Sequence, residues 1–140
     1  MRRATASREL LASPEEVWSF VTEPGHFGDW WPGIAAVEPD RRGLAPGARW
    51  IVHADTRPVL LKASGYSGVL VIRDVRPYER LSWTFTGDRW DVEIRLEQVG
   101  EDRARVTLEV TAGWLVPLPR SVARRALERL YNLCQTAATP

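Results

Sequence analysis

Cysteine is almost absent from this chain of 140 residues. Cys134 stands alone, which excludes an internal disulfide and fits a reducing compartment. Histidine occurs twice, as His26 and His53, with no spacing that resembles a metal site, so neither a metal nor a cofactor is expected. Net charge is nearly absent as well: nineteen Lys+Arg oppose eighteen Asp+Glu for a formal +1. The signs alternate along the chain, so no global field recruits nucleic acid. Lysine occurs once, at Lys62, and this bias toward arginine reads as genomic composition rather than phosphate binding. No apolar run approaches the roughly 20 residues of a membrane span, and the opening MRRATASRELLASPEEVW holds no apolar core of secretory length. Nucleophile-elbow and triad patterns are missing. The expectation is a cytoplasmic single domain over residues 1–140, monomer or homodimer, long enough to bury a core of its own.

What the chain does have is tryptophan, seven in all. Two stand side by side in FGDWWPG, residues 27 to 33. Neighbouring helical positions point about 100° apart, so a single packing surface rarely takes both rings. Upstream, residues 4 to 12 read as a first strand. Ser13-Pro14-Glu15-Glu16 supplies an N-cap, a proline at the first helical position and acids in the first turn. Val17, Phe20 and Val21 continue at helical spacing, with Trp18 beside them, until Pro24-Gly25. A second short helix carries Phe27, Trp30 and Trp31 and stops at Pro32-Gly33. A strand at 34 to 38 and another from Gly47 to Ala54 follow.

The middle of the chain yields a register. A two-residue turn at Gly87-Asp88 pairs Phe85 with Trp90, Trp83 with Val92 and Leu81 with Ile94. A three-residue turn at 100 to 102 pairs Leu96 with Val106, Ile94 with Leu108 and Val92 with Val110. A loop at 76 to 80 sets Val75 opposite Leu81, Arg73 opposite Trp83 and Val71 opposite Phe85. The apolar set then shares one face. Arg89, Asp91, Glu93, Arg95, Glu97, Arg105, Thr107 and Glu109 take the other, as water requires. Last comes a helix over about 120 to 136. Its stripe is Val122, Ala123, Ala126, Leu127, Leu130, Leu133 and Cys134, with Arg124, Arg125, Glu128 and Asn132 on the wet side.

With Ser13-Pro14-Glu15-Glu16-Val17-Trp18, Trp30-Trp31-Pro32 and Pro77-Tyr78-Glu79-Arg80-Leu81-Ser82-Trp83 in this order, the chain resembles the START-related (SRPBCC) superfamily over residues 3 to 138. The resemblance is to its polyketide cyclase/dehydrase-like branch. It implies an α+β helix-grip fold: a curved seven-stranded antiparallel sheet wrapped around a long C-terminal helix, with two short helices between strands 1 and 2. It also implies a cavity between sheet and helix for lipids, sterols, polyketides or aromatic compounds. Chemistry stays open, because fold alone does not fix it.

The expected pocket takes Trp83, Phe85, Trp90, Val92, Val71 and Leu108 from the sheet, Leu127 and Tyr131 from the last helix, and Trp50 or Ile51 from a neighbouring strand. Trp30 or Trp31 stands at the mouth while the other packs under the first helix, unless both are structural. Arg73 is the expected polar group, its guanidinium over the Trp83 indole. His53 joins it if Arg49, Ile51 and His53 face inward, and lies outside if Trp50, Val52 and Ala54 do, the favoured parity. The glycine-rich Ser64-Gly65-Tyr66-Ser67-Gly68 precedes a strand rather than a helix and reads as a connection at the cavity mouth. Trp114 to Pro119 reads as a lid, an interface or a buried connector, the last favoured. The leading expectation is a binding protein for a hydrophobic small molecule, cyclic or aromatic. One alternative is a cyclase/aromatase-like enzyme shaping its substrate, with Arg73 on an enolate and His53, Tyr66 or Tyr131 moving protons. The other is a protein-interaction module of the heat-shock-ATPase activator type.

Overall fold

Ser13 accepts a hydrogen bond from the Glu16 amide at 3.2 Å, and Pro14 opens the helix behind it. In the computed structural model, which describes residues 1–54 and 67–138, this cap starts α1 (Pro14–Val21). The helix buries Val17, Trp18 and Val21 and ends at Thr22. A 3-10 turn (Pro24–His26) leads into α2 (Phe27–Trp30), a single turn of helix. Trp31 then leaves in extended conformation, and Gly33, at φ +84°, takes the left-handed geometry that a side chain would disfavour. Gly28 matters for a different reason. A Cβ built there would meet the carbonyl oxygen of Ala35 at 2.3 Å, so only glycine lets α2 lie against the strand that follows.

The strands are β1 (Arg2–Leu10), β2 (Ile34–Glu38), β3 (Arg49–Ala54), β4 (Ser67–Arg76), β5 (Arg80–Phe85), β6 (Trp90–Gly100) and β7 (Arg103–Ala112). They form one antiparallel sheet in the order β1-β7-β6-β5-β4-β3-β2. The last helix, α3 (Val122–Ala138), packs against β1, β7 and α2. This is the helix-grip fold. Its core is a single apolar cluster running from Leu10 and Val17 through the inner faces of the strands to Leu127, Leu130 and Cys134 of α3.

The β5-β6-β7 register agrees with the sequence reading at all six pairs named above. The turn at 86 to 89 differs: the Arg89 amide reaches the Phe85 carbonyl at 2.9 Å and Arg89 carries the positive φ, +60°. It is a four-residue connection, not a two-residue one, and both lengths leave Phe85 opposite Trp90. At the other hairpin a bulge between Gln98 and Gly100 takes up one residue, with Gly100 opposite Arg103.

β4 departs from expectation. Val75 faces Leu81 as read, but a bulge lies between Ile72 and Asp74. Ile72, rather than Arg73, stands opposite Trp83, and Leu70, rather than Val71, opposite Phe85. An extra residue in one strand of a pair shifts everything beyond it by one and so exchanges the two faces. Val71 therefore sits outside the apolar core cluster that holds Leu70 and Ile72.

Candidate ligand-binding site

α2 and the strand ends of β5 bring five aromatic rings together. Phe27 lies 5.3 Å from Trp30 and 5.7 Å from Trp83, centroid to centroid. Trp30 stands edge-on to Trp31 at 5.6 Å and to Trp83 at 6.2 Å. Trp31 reaches Phe85 at 5.1 Å. All five side chains are buried, and such edge-to-face sets add stabilisation beyond the area they remove from water. The Trp30 and Trp83 indole N–H groups are buried with no hydrogen-bond acceptor among the described residues. The Trp30 and Trp83 rings cross at 87°, as do those of Trp83 and Phe85, and ring faces are weak acceptors.

The two neighbouring tryptophans have separate surroundings. Trp30 is sealed in the core, whereas Trp31 also forms one wall of a cavity of about 220 Å³ at the end of the sheet. Phe85 and Trp90 form a second wall, and Pro32, Gly33 and Ile34 with Val52 and Ala54 complete the apolar lining. Asp88, in the turn between β5 and β6, is its ionisable group among the described residues. Desolvation pushes the Asp88 carboxyl above its ordinary pKa, although the residue keeps contact with water. Trp90 is half-buried, and its indole N–H donates to the Pro117 carbonyl at 2.9 Å. At about 220 Å³ the cavity is smaller than the ~300–1,000 Å³ usual for drug-sized ligands.

The remaining expected residues lie elsewhere. Val92, Leu108 and Leu127 are buried in the core cluster beside Trp83. Trp50 is buried too, its indole donating to the Gly43 carbonyl at 2.7 Å, and Ile51 is exposed. The favoured parity of β3 therefore holds, and His53 is exposed, 3.2 Å from Glu38. Arg73 is corrected: the bulge turns it to the outer face, where its Nε donates to the Thr84 hydroxyl at 3.1 Å. Arg73 and His53 therefore do not form the pair that inward facing of both would have made. Tyr131 is half-buried, its ring under the Arg8 guanidinium at 3.9 Å and its hydroxyl bonded by Gln135. Tyr66 lies outside the described residues, as do Ser64 and Gly65.

Sequence reasoning passed over Asp88, treated only as a turn residue, and Arg8, which shares its strand face with Ala4, Ala6 and Leu10. That alternation was available in ATASREL. The Trp114 to Pro119 segment is not a buried connector throughout. Leu118 is buried, but Trp114 is 78% and Leu115 98% exposed.

A family profile described as polyketide cyclase/dehydrase and lipid transport matches residues 1–135. Among solved structures, the chain is similar to protein XoxI from Bacillus cereus, at TM-score 0.74 and 14% identity over 100% of both chains. It is similar to protein NE0264 from Nitrosomonas europaea, at TM-score 0.72 and 18% identity, covering 99% of this chain and 97% of that one. The Aha1 dimer from Colwellia psychrerythraea, solved in solution, gives TM-score 0.65 and 15% identity over 97% of this chain and 96% of that one. At such identities the likeness shows the fold. No curated relative matches by sequence.

Proposed function

The chain belongs to the polyketide cyclase/dehydrase and lipid transport family, and from that premise we propose that it binds a small hydrophobic molecule, cyclic or aromatic, at the Trp31–Phe85–Trp90 end of the sheet. The observation that carries this reading is the cavity itself, walled by three aromatic side chains and five further apolar positions around one carboxyl group. Such a lining is the ordinary make-up of a small-molecule site: apolar walls with few polar groups. The chain then acts as a carrier or receptor, monomer or homodimer, in a reducing cytoplasm. A cyclase reading asks for at least two polar groups converging on the substrate, and this cavity offers Asp88.

Titrating the protein with nitrobenzene, a neutral single-ring quencher, while following tryptophan emission, tests the proposal. Saturable one-to-one quenching is expected. Ala54→Phe, which adds a ring to the lining without touching the buried core, weakens binding about fivefold or more. An intact fold with no saturable quenching, or an unchanged Kd in Ala54→Phe, defeats the reading.

A further inference from the structure

Resting on that reading of the cavity, we propose that it is built for a cationic head group, a protonated or quaternary amine carried on a hydrophobic body. Three of its side chains, Trp31, Phe85 and Trp90, are aromatic. Trp31 and Phe85 lie 5.1 Å apart, and Phe85 is directly opposite Trp90 across β5 and β6. Ring faces carry negative electrostatic potential, and several around one small space form a cage that prefers a cation to a neutral group of the same shape.

The charged lining agrees with the rings. Asp88 contributes a carboxyl, and no arginine, lysine or histidine among the described residues lines the cavity. The carboxyl is also free of partners among the described residues, with neither an ion pair nor a hydrogen bond. Five other acids, Glu9, Asp74, Glu93, Glu97 and Glu109, each lie within 4.0 Å of an arginine nitrogen. Arg89 follows Asp88 directly, yet it is exposed, in left-handed conformation, and lines nothing in the cavity. An anionic head group would face an uncompensated carboxylate here, and a neutral one would leave that carboxylate without a partner. A cation answers both the rings and the acid. Partial desolvation of Asp88 strengthens the attraction, since two opposite charges interact more strongly out of bulk water. The volume suits such a group: about 220 Å³ holds a trimethylammonium or a single ring with its substituent.

The test is isothermal calorimetry on the full chain with three probes that share one naphthylmethyl body: (1-naphthylmethyl)trimethylammonium, 1-naphthalenemethanol and 1-naphthylacetate. The ammonium is expected to bind about tenfold tighter than the alcohol, with the carboxylate weakest. Asp88→Asn lowers the ammonium's affinity about fivefold or more, and Asp88→Glu, which keeps the charge, restores most of it. Circular dichroism verifies the fold of each variant, and Asp88, being in an exposed turn, tolerates both changes. If the alcohol or the carboxylate binds as tightly as the ammonium, the cationic preference is wrong while the cavity stands as a ligand site. Unchanged ammonium affinity in Asp88→Asn overturns it too, since the cation is then held elsewhere. Should none of the three bind, the proposal falls together with the reading beneath it.

Discussion

The two faces of β5 are made of opposite materials. Inward, Leu81, Trp83 and Phe85 are buried, and the two rings meet Phe27 and the Trp30–Trp31 pair. Outward, Arg80, Ser82 and Thr84 sit in a charged mesh. Arg80 holds Asp74 at 2.9 Å and approaches Glu93 at 3.7 Å, while Thr84 links Arg73 to Asp91. The two sides differ in energy scale as much as in chemistry. A buried tryptophan removes about 150–250 Å² from water, worth at most about 4–6 kcal/mol, whereas an exposed ion pair contributes about 0–1 kcal/mol. The inner face therefore fixes the fold and shapes the candidate site, and the outer face keeps the sheet wetted. Substitutions on either side should reveal that difference in scale.

The largest expected effect comes from a glycine that carries no side chain to either face. In Gly28→Ala, the new methyl would stand 2.3 Å from the Ala35 carbonyl oxygen and 2.9 Å from its carbon. Backbone cannot swing aside as a side-chain tip does, so α2 lifts from β2 and pulls Phe27, Trp30 and Trp31 out of register with Trp83 and Phe85. The helix-propensity gain of alanine, about 1 kcal/mol, is smaller than the cost, about 3 kcal/mol or more. Thermal unfolding should fall by about 6–12 °C in a chain of this size. Gly25→Ala is the control, because its Cβ would meet only Glu23 Oε1, at an ordinary 3.5 Å. Equal Tm values for the two variants would show that the aromatic end does not depend on that close approach.

Why did alternation reveal one side of β5 so well and not the other? In β6 and β7 an inward apolar residue is followed by a charged residue or a threonine almost without interruption, so a slip of one residue would be visible at once. Residues 69 to 72, Val-Leu-Val-Ile, are apolar at every position and carry no parity. Their facing could only be counted back from the loop at 76 to 80, and the bulge after Ile72 made that count wrong by one. Arg73 and Val71 were misplaced together for this one reason. β3 raised the same question, and there the burial of Trp50 and Val52 against exposed Ile51 and His53 answers it. For the candidate site, Trp31, Phe85 and Trp90 were legible as large aromatics on inward or mouth positions. Asp88 was not, because a turn residue gains a role only when a cavity opens beside it. Gly28 left no signal either: close approach of two backbones has no side chain to announce it.

A middle-sized effect lies on the inner stripe of α3. Burial of the Cys134 thiol and the nearby Glu16 charge push its pKa from 9.0 up to about 11. The folded chain then keeps a proton that the unfolded chain gives up near pH 9. This contribution to stability is complete below about pH 9 and is lost as pH rises through 11. Two units at about 1.4 kcal/mol each put the loss on the order of 2–3 kcal/mol. Guanidinium unfolding midpoints at pH 8, 9.5 and 11 should fall more steeply for the wild type than for Cys134→Ala, which has no thiol to ionise. Parallel curves would mean that the thiolate is accommodated where it stands.

The smallest effect belongs to the outer mesh, and its size is the sharper test of the contrast. Arg80 makes two hydrogen bonds to one Asp74 oxygen, at 2.9 and 3.1 Å, and the two side chains keep 31% and 41% of their surface in water. Holding long side chains in place costs entropy, and water screens the charges, so good geometry alone does not make the pair strong. A double-mutant cycle of Arg80→Ala with Asp74→Ala should give a coupling of about 0.5 kcal/mol, fading toward zero in about 1 M salt, where the screening length falls to about 3 Å. Asp74 also lies 3.6 Å from Arg76, and Arg80 shares Glu93 with Arg95. A coupling above about 2 kcal/mol that survives salt would show these side chains acting as one network. The outer face would then share in fixing the fold, and the division of labour across β5 would fail on its weaker side.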